Sequence, residues 1–229
     1  MEEFIEDHER IFVVEQNRDA QLKSLLTIEL GCHPSRLHSI LQYGGLAIDC
    51  RCIVETLGMG LPTSGTIPAT HSDRLRVAEA TGKLAAEMAK KHGPRPSEIM
   101  TKAAFRNALT VLQAIGGSTN ALIHLTAIAN RTQHRIDLEA FDELGREVPV
   151  LIDLKPSGDH YMEHFHHAGG VPRLMQELSD ILDLDAPTVA GTLRDNVKAA
   201  EQVPGQTVIR SRQNPINPQG AMCVLRGNL

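Results

Sequence analysis

The sequence predicts an α/β fold dominated by helix, and three observations carry that reading. Several stretches place apolar residues at helical spacing, most clearly Thr101–Ile115, with Phe105, Ala108, Leu109, Leu112 and Ile115 on one face. One apolar run, VPVLIDL at 148–154, is short and ends in Lys155-Pro156-Ser157-Gly158, which suits a buried parallel strand and its outgoing loop. Helix and strand signals alternate along the chain, the order that builds α/β domains. Apolar residues make up 41% of the 229, enough for a packed core; with 3% aromatic residues and no Trp, that core must be Leu, Ile, Val, Ala and Met.

The elements follow in order. Asp19–Leu30 reads as a helix, whereas residues 31–52 show no clear period. Cys52–Leu57 is a short helix closed by Gly58, and Leu57–Ala69 is a loop punctuated by Gly and Pro. Asp73–His92 is a helix with Ser72 as its cap and Gly93-Pro94 as its stop. Ala121–Ala129 is apolar nearly all round, which predicts a helix buried on every side and His124 as a satisfied core histidine. Tyr161–His167 and Val171–Leu182 are helical, joined through Gly169-Gly170; Thr188–Ala200 is a further helix. Val208–Arg210 and Cys223–Leu225 are short strands, with Cys223 a buried small hydrophobe.

Net charge of −5 disfavours nucleic acid and anionic membranes as partners. No run reaches the length of a membrane span, and the start (MEEFIEDHER) is acidic rather than signal-like. Four cysteines, Cys32, Cys50, Cys52 and Cys223, are too few for a disulfide scaffold of this size. A reducing compartment follows: the cytoplasm, or the mitochondrion in a eukaryote.

Within QAIGGSTNALIHL (113–125), Gly116 and Gly117 end one helix, and Ser118 or Thr119 caps the next. Such a helix start aims free N–H groups and a positive dipole end outward, and the small residues let a carboxylate or phosphate approach. A plain helix–helix corner has the same local pattern.

FRNALTVLQAIGGSTNALIHLTAIA resembles a signature of the dihydroxy-acid and 6-phosphogluconate dehydratase family. Three more segments resemble it in the same order: ETLGMGLPTSGTIPA (55–69), PVLIDLKPSGDHYMEHFHHAGGVPRLMQEL (149–178) and NPINPQGAMCVLRGNL (214–229). The HYMEHFHHAGG form is similar to the sugar-acid (aldonate) branch. The resemblance implies a dehydratase that removes water from a 2,3-dihydroxy acid to give a 2-keto acid. It implies an iron–sulfur cluster on three cysteines, a Mg²⁺ held partly by a carbamylated lysine, and a base serine. It also implies a small-molecule sugar-acid or dihydroxy-acid substrate and a homo-oligomer. The organisation implied is a partial, helix-rich N-terminal domain at 52–213, a truncated entry to the C-terminal domain at 214–229, and a missing C-terminal β-barrel domain. Substrate-lining candidates are Gly117, Ser118, Thr119 and Asn120, then Ser64, Gly65 and Thr66.

The chain departs from the family pattern in one place. Counting back from Leu57-Gly58, Cys52 matches a family cysteine that is not a ligand, and the cluster-ligand position falls at Leu41, which cannot bind iron. Cys50 and Cys52 form a CxC that is the remaining metal candidate. The earlier cysteines and the Mg²⁺ ligands are expected upstream, and the base serine beyond Leu229. With codons CTG CAA TAT GGG, Leu41–Gly44 read one base later gives Cys-Asn-Met. Residues 1–51 are therefore expected to be an atypical segment, a wrong-frame or mis-spliced reading. An inactive remnant that serves only in interactions is the alternative to an enzyme.

His160-Tyr161-Met162-Glu163-His164 also spells HxxEH, a zinc-hydrolase spacing that puts both histidines on one helix face, with His166 and His167 adjacent. A polar helix surface fits it equally. Lys155–Gly158 follows a strand, where α/β ligands bind, or is a plain turn. Asp73 and Arg74 either face the site or simply start a helix.

Overall fold

The computed structural model describes residues 7–15, 20–41, 50–155, 157–198 and 200–227. The chain divides into two compact units, Met1–Gly45 and Leu46–Leu229.

In the first unit β1 (Ile11–Glu15) and β2 (Leu37–Leu41) pair in parallel, Ile11 opposite Leu37 and Glu15 opposite Leu41. Between them in sequence lies α1 (Gln21–Glu29), the kind of crossover that parallel strands need. Ile11, Val13, Leu26, Cys32 and Leu37 form its small core. The aperiodic stretch thus contains a strand; five residues with His38 and Ser39 among them are too few to show a period. Asp19, the expected helix start, and residues 42–49 lie outside the described residues, as do the side chains of Leu41 and Cys50.

The second unit is helix-rich, as the sequence predicts. It contains α2 (Cys50–Thr56), α3 (Asp73–Lys91), the single turn α4 (Pro96–Ile99), α5 (Lys102–Ile115), α6 (Thr119–Ala129) and α7 (Leu138–Glu147). There follow α8 (Met162–His167), α9 (Gly170–Glu177), the hairpin of β3 (Pro187–Thr188) with β4 (Gly191–Thr192), and α10 (Leu193–Lys198). α5 is the centre, with α2, α6 and α7 packed against it. Thr101 caps it, accepting the Ala104 N–H at 3.2 Å. Besides the predicted apolar face it buries Asn107, Thr110 and Gln113. Each of these is hydrogen-bonded, as burial of polar groups demands. Asn107 exchanges two bonds with the Asp183 backbone, at 2.8 and 2.9 Å. Gln113 does the same with Met222, at 3.0 Å each.

Several expectations are corrected. Residues 148–154 are extended and largely buried, but they form no strand of a parallel sheet. Val150 and Ile152 make single antiparallel bridges to Asn217 and Ile209, and Leu154 a parallel one to His160. Buried apolar composition is common to a sheet strand and to an extended core segment, so it does not distinguish them. α6 is not buried all round: Ala121, Leu125 and Ala129 face inward, while Ile123 is 63% exposed and His124 lies on the surface. His124 is therefore no core histidine. The helix expected over Thr188–Ala200 begins only at Leu193, because Gly191, at φ 121°, turns the β3–β4 hairpin. Asp195 then accepts the Thr192 N–H and hydroxyl at 3.0 and 2.7 Å. The helix expected through Leu182 ends at Glu177, with turns following. Val208–Arg210 makes one bridge, through Ile209, and Cys223–Leu225 is irregular. Cys223 is exposed rather than buried, because the segment docks through its neighbours. Met222 binds Gln113, and the Val224 N–H donates to Asp142 at 2.9 Å. Ser72 holds the cap position of α3 without a side-chain bond; His71 Nδ1 takes the Asp73 N–H instead, at 3.4 Å.

Candidate functional site

The Gly-Gly-Ser-Thr-Asn corner joins α5 to α6. Gly116 ends α5 in the left-handed conformation, φ 71°, and the Gly117 N–H donates to Leu112 O at 3.1 Å. A Cβ on Gly117 would lie 2.4 Å from Leu112 Cδ1, so no larger residue fits without repacking. Ser118 caps α6, accepting the Asn120 N–H at 3.2 Å. Thr119 and Asn120 are exposed. Gly116 and Gly117 line a cleft of about 410 Å³ together with Val150, Asp153, Ser157, Gly158 and Asn217. The helix corner and the Lys155–Gly158 loop, distant in sequence, therefore share one cleft. Pro156 of that loop is outside the described residues. Asp153 accepts the Asp159 N–H at 2.8 Å and shapes the loop.

Ser64, Gly65 and Thr66 lie elsewhere in the unit, wrapped on α2. Ser64 Oγ donates to Leu61 O at 2.6 Å. Glu55, fully buried, accepts the Thr63 and Gly65 N–H groups at 2.8 Å each. Burial pushes the Glu55 carboxyl up to about 7, against the lowering effect of those two amides. Thr66 Oγ1 meets His166 Nδ1 at 3.0 Å. Burial first, then the His167 and His71 rings, hold His166 below the usual imidazole range. Among the described residues, the cleft lined by Gly116 and Gly117 does not include Ser64, Gly65 or Thr66.

The HxxEH spacing does not form the expected helix face. His160 precedes α8 and bridges to Leu154, 3.8 Å from Asp153. His164 spends Nδ1 as a cap, accepting the Tyr161 N–H at 3.2 Å, and Glu163 pairs with His167 at 3.8 Å. Asp73 lies beside His71, whereas the Arg74 Nη2 is buried with no hydrogen-bond partner among the described residues.

Residues 43–196 match the dihydroxy-acid/6-phosphogluconate dehydratase N-terminal family. The dihydroxy-acid dehydratase of Acetivibrio thermocellus is 45% identical over 186 residues, 80% of this chain and 33% of that protein. The chain belongs to the dihydroxy-acid/6-phosphogluconate dehydratase family. Dihydroxy-acid dehydratases of Halothermothrix orenii and Caldanaerobacter subterraneus are 39% and 42% identical, over 80% and 78% of the chain. The chain spans about a third of the length of these curated relatives. No helix among the described residues is long and apolar enough to cross a membrane.

The described cysteines do not fit a three-thiolate cluster. Cys52 is fully buried and its Sγ faces Gly65 O at 3.6 Å; Cys32 is buried in the other unit; Cys223 is exposed.

Sequence reasoning missed Glu55 and the meeting of His71, Asp73 and His166. Glu55 did carry a signal: a lone acid between Ile53 and Leu57, followed by a Gly-rich loop whose N–H groups need an acceptor. The histidines lie 95 residues apart, and local pattern cannot pair them.

Proposed function

We propose that the protein works as a hydro-lyase that removes water from a 2,3-dihydroxy acid to give a 2-keto acid. The form of its His160–Gly170 segment points to a sugar acid. The observation that supports this reading is the cleft that joins Gly116 and Gly117, the glycines just before α6, to Asp153 and Ser157. The Ser118 and Thr119 N–H groups make no hydrogen bond to the described residues, and the positive end of α6 lies behind them. A substrate carboxylate held there loses charge density, which acidifies the C2 proton. Asp153 and Ser157 then meet substrate hydroxyls, as a polyhydroxy acid requires.

Cluster thiolates, Mg²⁺ ligands and the base come, in this reading, from sequence outside these 229 residues. Residues 52–213 supply the dehydratase part and 214–229 lead toward the next domain, while 1–51 stand apart from it. Association of identical chains and a cytoplasmic location, or a mitochondrial one in a eukaryote, complete the proposal.

The test grafts residues 52–213 into the Acetivibrio thermocellus relative in place of the matching segment. The graft is expected to form 2-keto acid, with a sugar acid preferred over a branched-chain dihydroxy acid. A folded, metal-loaded graft that turns over neither acid contradicts the proposal.

A further inference from the structure

We propose that His71, Asp73 and His166 bind a divalent transition metal of the zinc type, in a structural site that ties the start of α3 to α8. One ligand atom from each residue lies within 4.8 Å of the other two. His71 Nδ1 and Asp73 Oδ2 are 3.2 Å apart, close to the edge of a tetrahedron built on zinc bonds, roughly 3.4 Å, and a metal on Nδ1 replaces the long 3.4 Å hydrogen bond from the Asp73 N–H. Closing the remaining edges takes no more than about 1.4 Å of side-chain movement.

Four further points support the site. His166 Nδ1 is held by the hydroxyl of Thr66, which is 2% exposed and bonds on to Thr63 O at 3.4 Å. That leaves Nε2 as the ligand, with the other ring nitrogen fixed as in metal-binding histidines generally. Two imidazoles and one carboxylate suit zinc and its neighbours better than Mg²⁺ or Ca²⁺, which prefer oxygen. Arg76 pairs with Asp73 Oδ1, so Oδ2 remains for the metal. The last observation concerns α3 itself: none of its nineteen residues is buried, so burial does not anchor it. A metal at its first turn provides that anchor. Asp73 and His166 line a cavity of about 290 Å³ together with His167 and Glu201, which leaves room for a fourth ligand. Water occupies that position in a zinc site with three protein ligands. None of these residues lines the α6 cleft, so this inference stands apart from the dehydratase reading.

The test uses Co²⁺ and Zn²⁺ on the full chain after chelation and dialysis. One Co²⁺ per chain is expected, with a visible absorption band typical of four- or five-coordinate cobalt and no thiolate charge-transfer band. Zn²⁺ should displace it and raise Tm. His71→Ala and Asp73→Asn, both at partly exposed positions, should each weaken binding by more than about tenfold, since loss of even a supporting partner costs that much. His164→Ala should leave it unchanged. His166→Ala serves as a third variant where circular dichroism shows a native fold. Binding that survives His71→Ala and Asp73→Asn, binding lost with His164→Ala, a thiolate band, or no stoichiometric binding each overturn the proposal.

Discussion

The Glu55 carboxylate and the Gly65 amide, 2.8 Å apart, hold the 57–69 loop onto α2 inside a site closed to solvent. An acid so placed makes folding depend on pH. The folded state raises its carboxyl from 4.5 to about 7, so between those values it keeps a proton that the unfolded chain releases. The contribution of Glu55 to stability is therefore largest below about pH 4.5, falls as pH rises, and levels above about pH 7, with a total change of about 3 kcal/mol. Glu55→Gln removes the ionisation, and urea melts of the variant across this range should lack that component of the slope.

Gly65 admits no side chain. A Cβ there would lie 2.9 Å from each of Arg51 O, Cys52 Cα and Glu55 Oε2, two of them backbone atoms. Gly65→Ala is expected to cost about 3 kcal/mol, the upper range for overpacking, as measured by urea denaturation.

Gln113 serves the segment at 220–224 as a strand edge would, taking the Met222 N–H and giving to its carbonyl. Gln113→Leu keeps the volume and leaves both groups unmet, at about 2–4 kcal/mol. Hydrogen exchange should show the Met222 amide losing protection while the α5 amides keep theirs.

Cys223 is exposed, and Cys32 and Cys52 are buried. Cys223→Ser should remove a fast phase of maleimide labelling, whereas Cys52 should react only on unfolding.

Much of the second unit was legible because its signals are local. The Asp73–His92 helix, the Thr101–Ile115 period and the Gly116–Ser118 corner each rest on a few adjacent residues, and each appears within a residue or so of its expected place. What was not legible depends on partners far away. VPVLIDL makes only isolated bridges, antiparallel to Asn217 and Ile209 and parallel to His160, rather than lying in a parallel sheet. The outward face of α6 carries Ile123, and apolar composition alone does not say which side faces the core. Of the candidate site, the corner and the Lys155–Gly158 loop were each visible as motifs, but their shared cleft was not. The inward hydrogen bonds of Gly65 and Thr66 depend on Glu55 and His166, which lie outside the motif.

The most direct measurement of the account is an amide chemical-shift titration of the chain with a sugar acid. Saturable shifts centred on Gly117, Ser118 and Thr119, with little change at Thr66, are predicted. No saturable change at the corner, or shifts centred on the Glu55 loop instead, would contradict the placement of the substrate carboxylate at the start of α6.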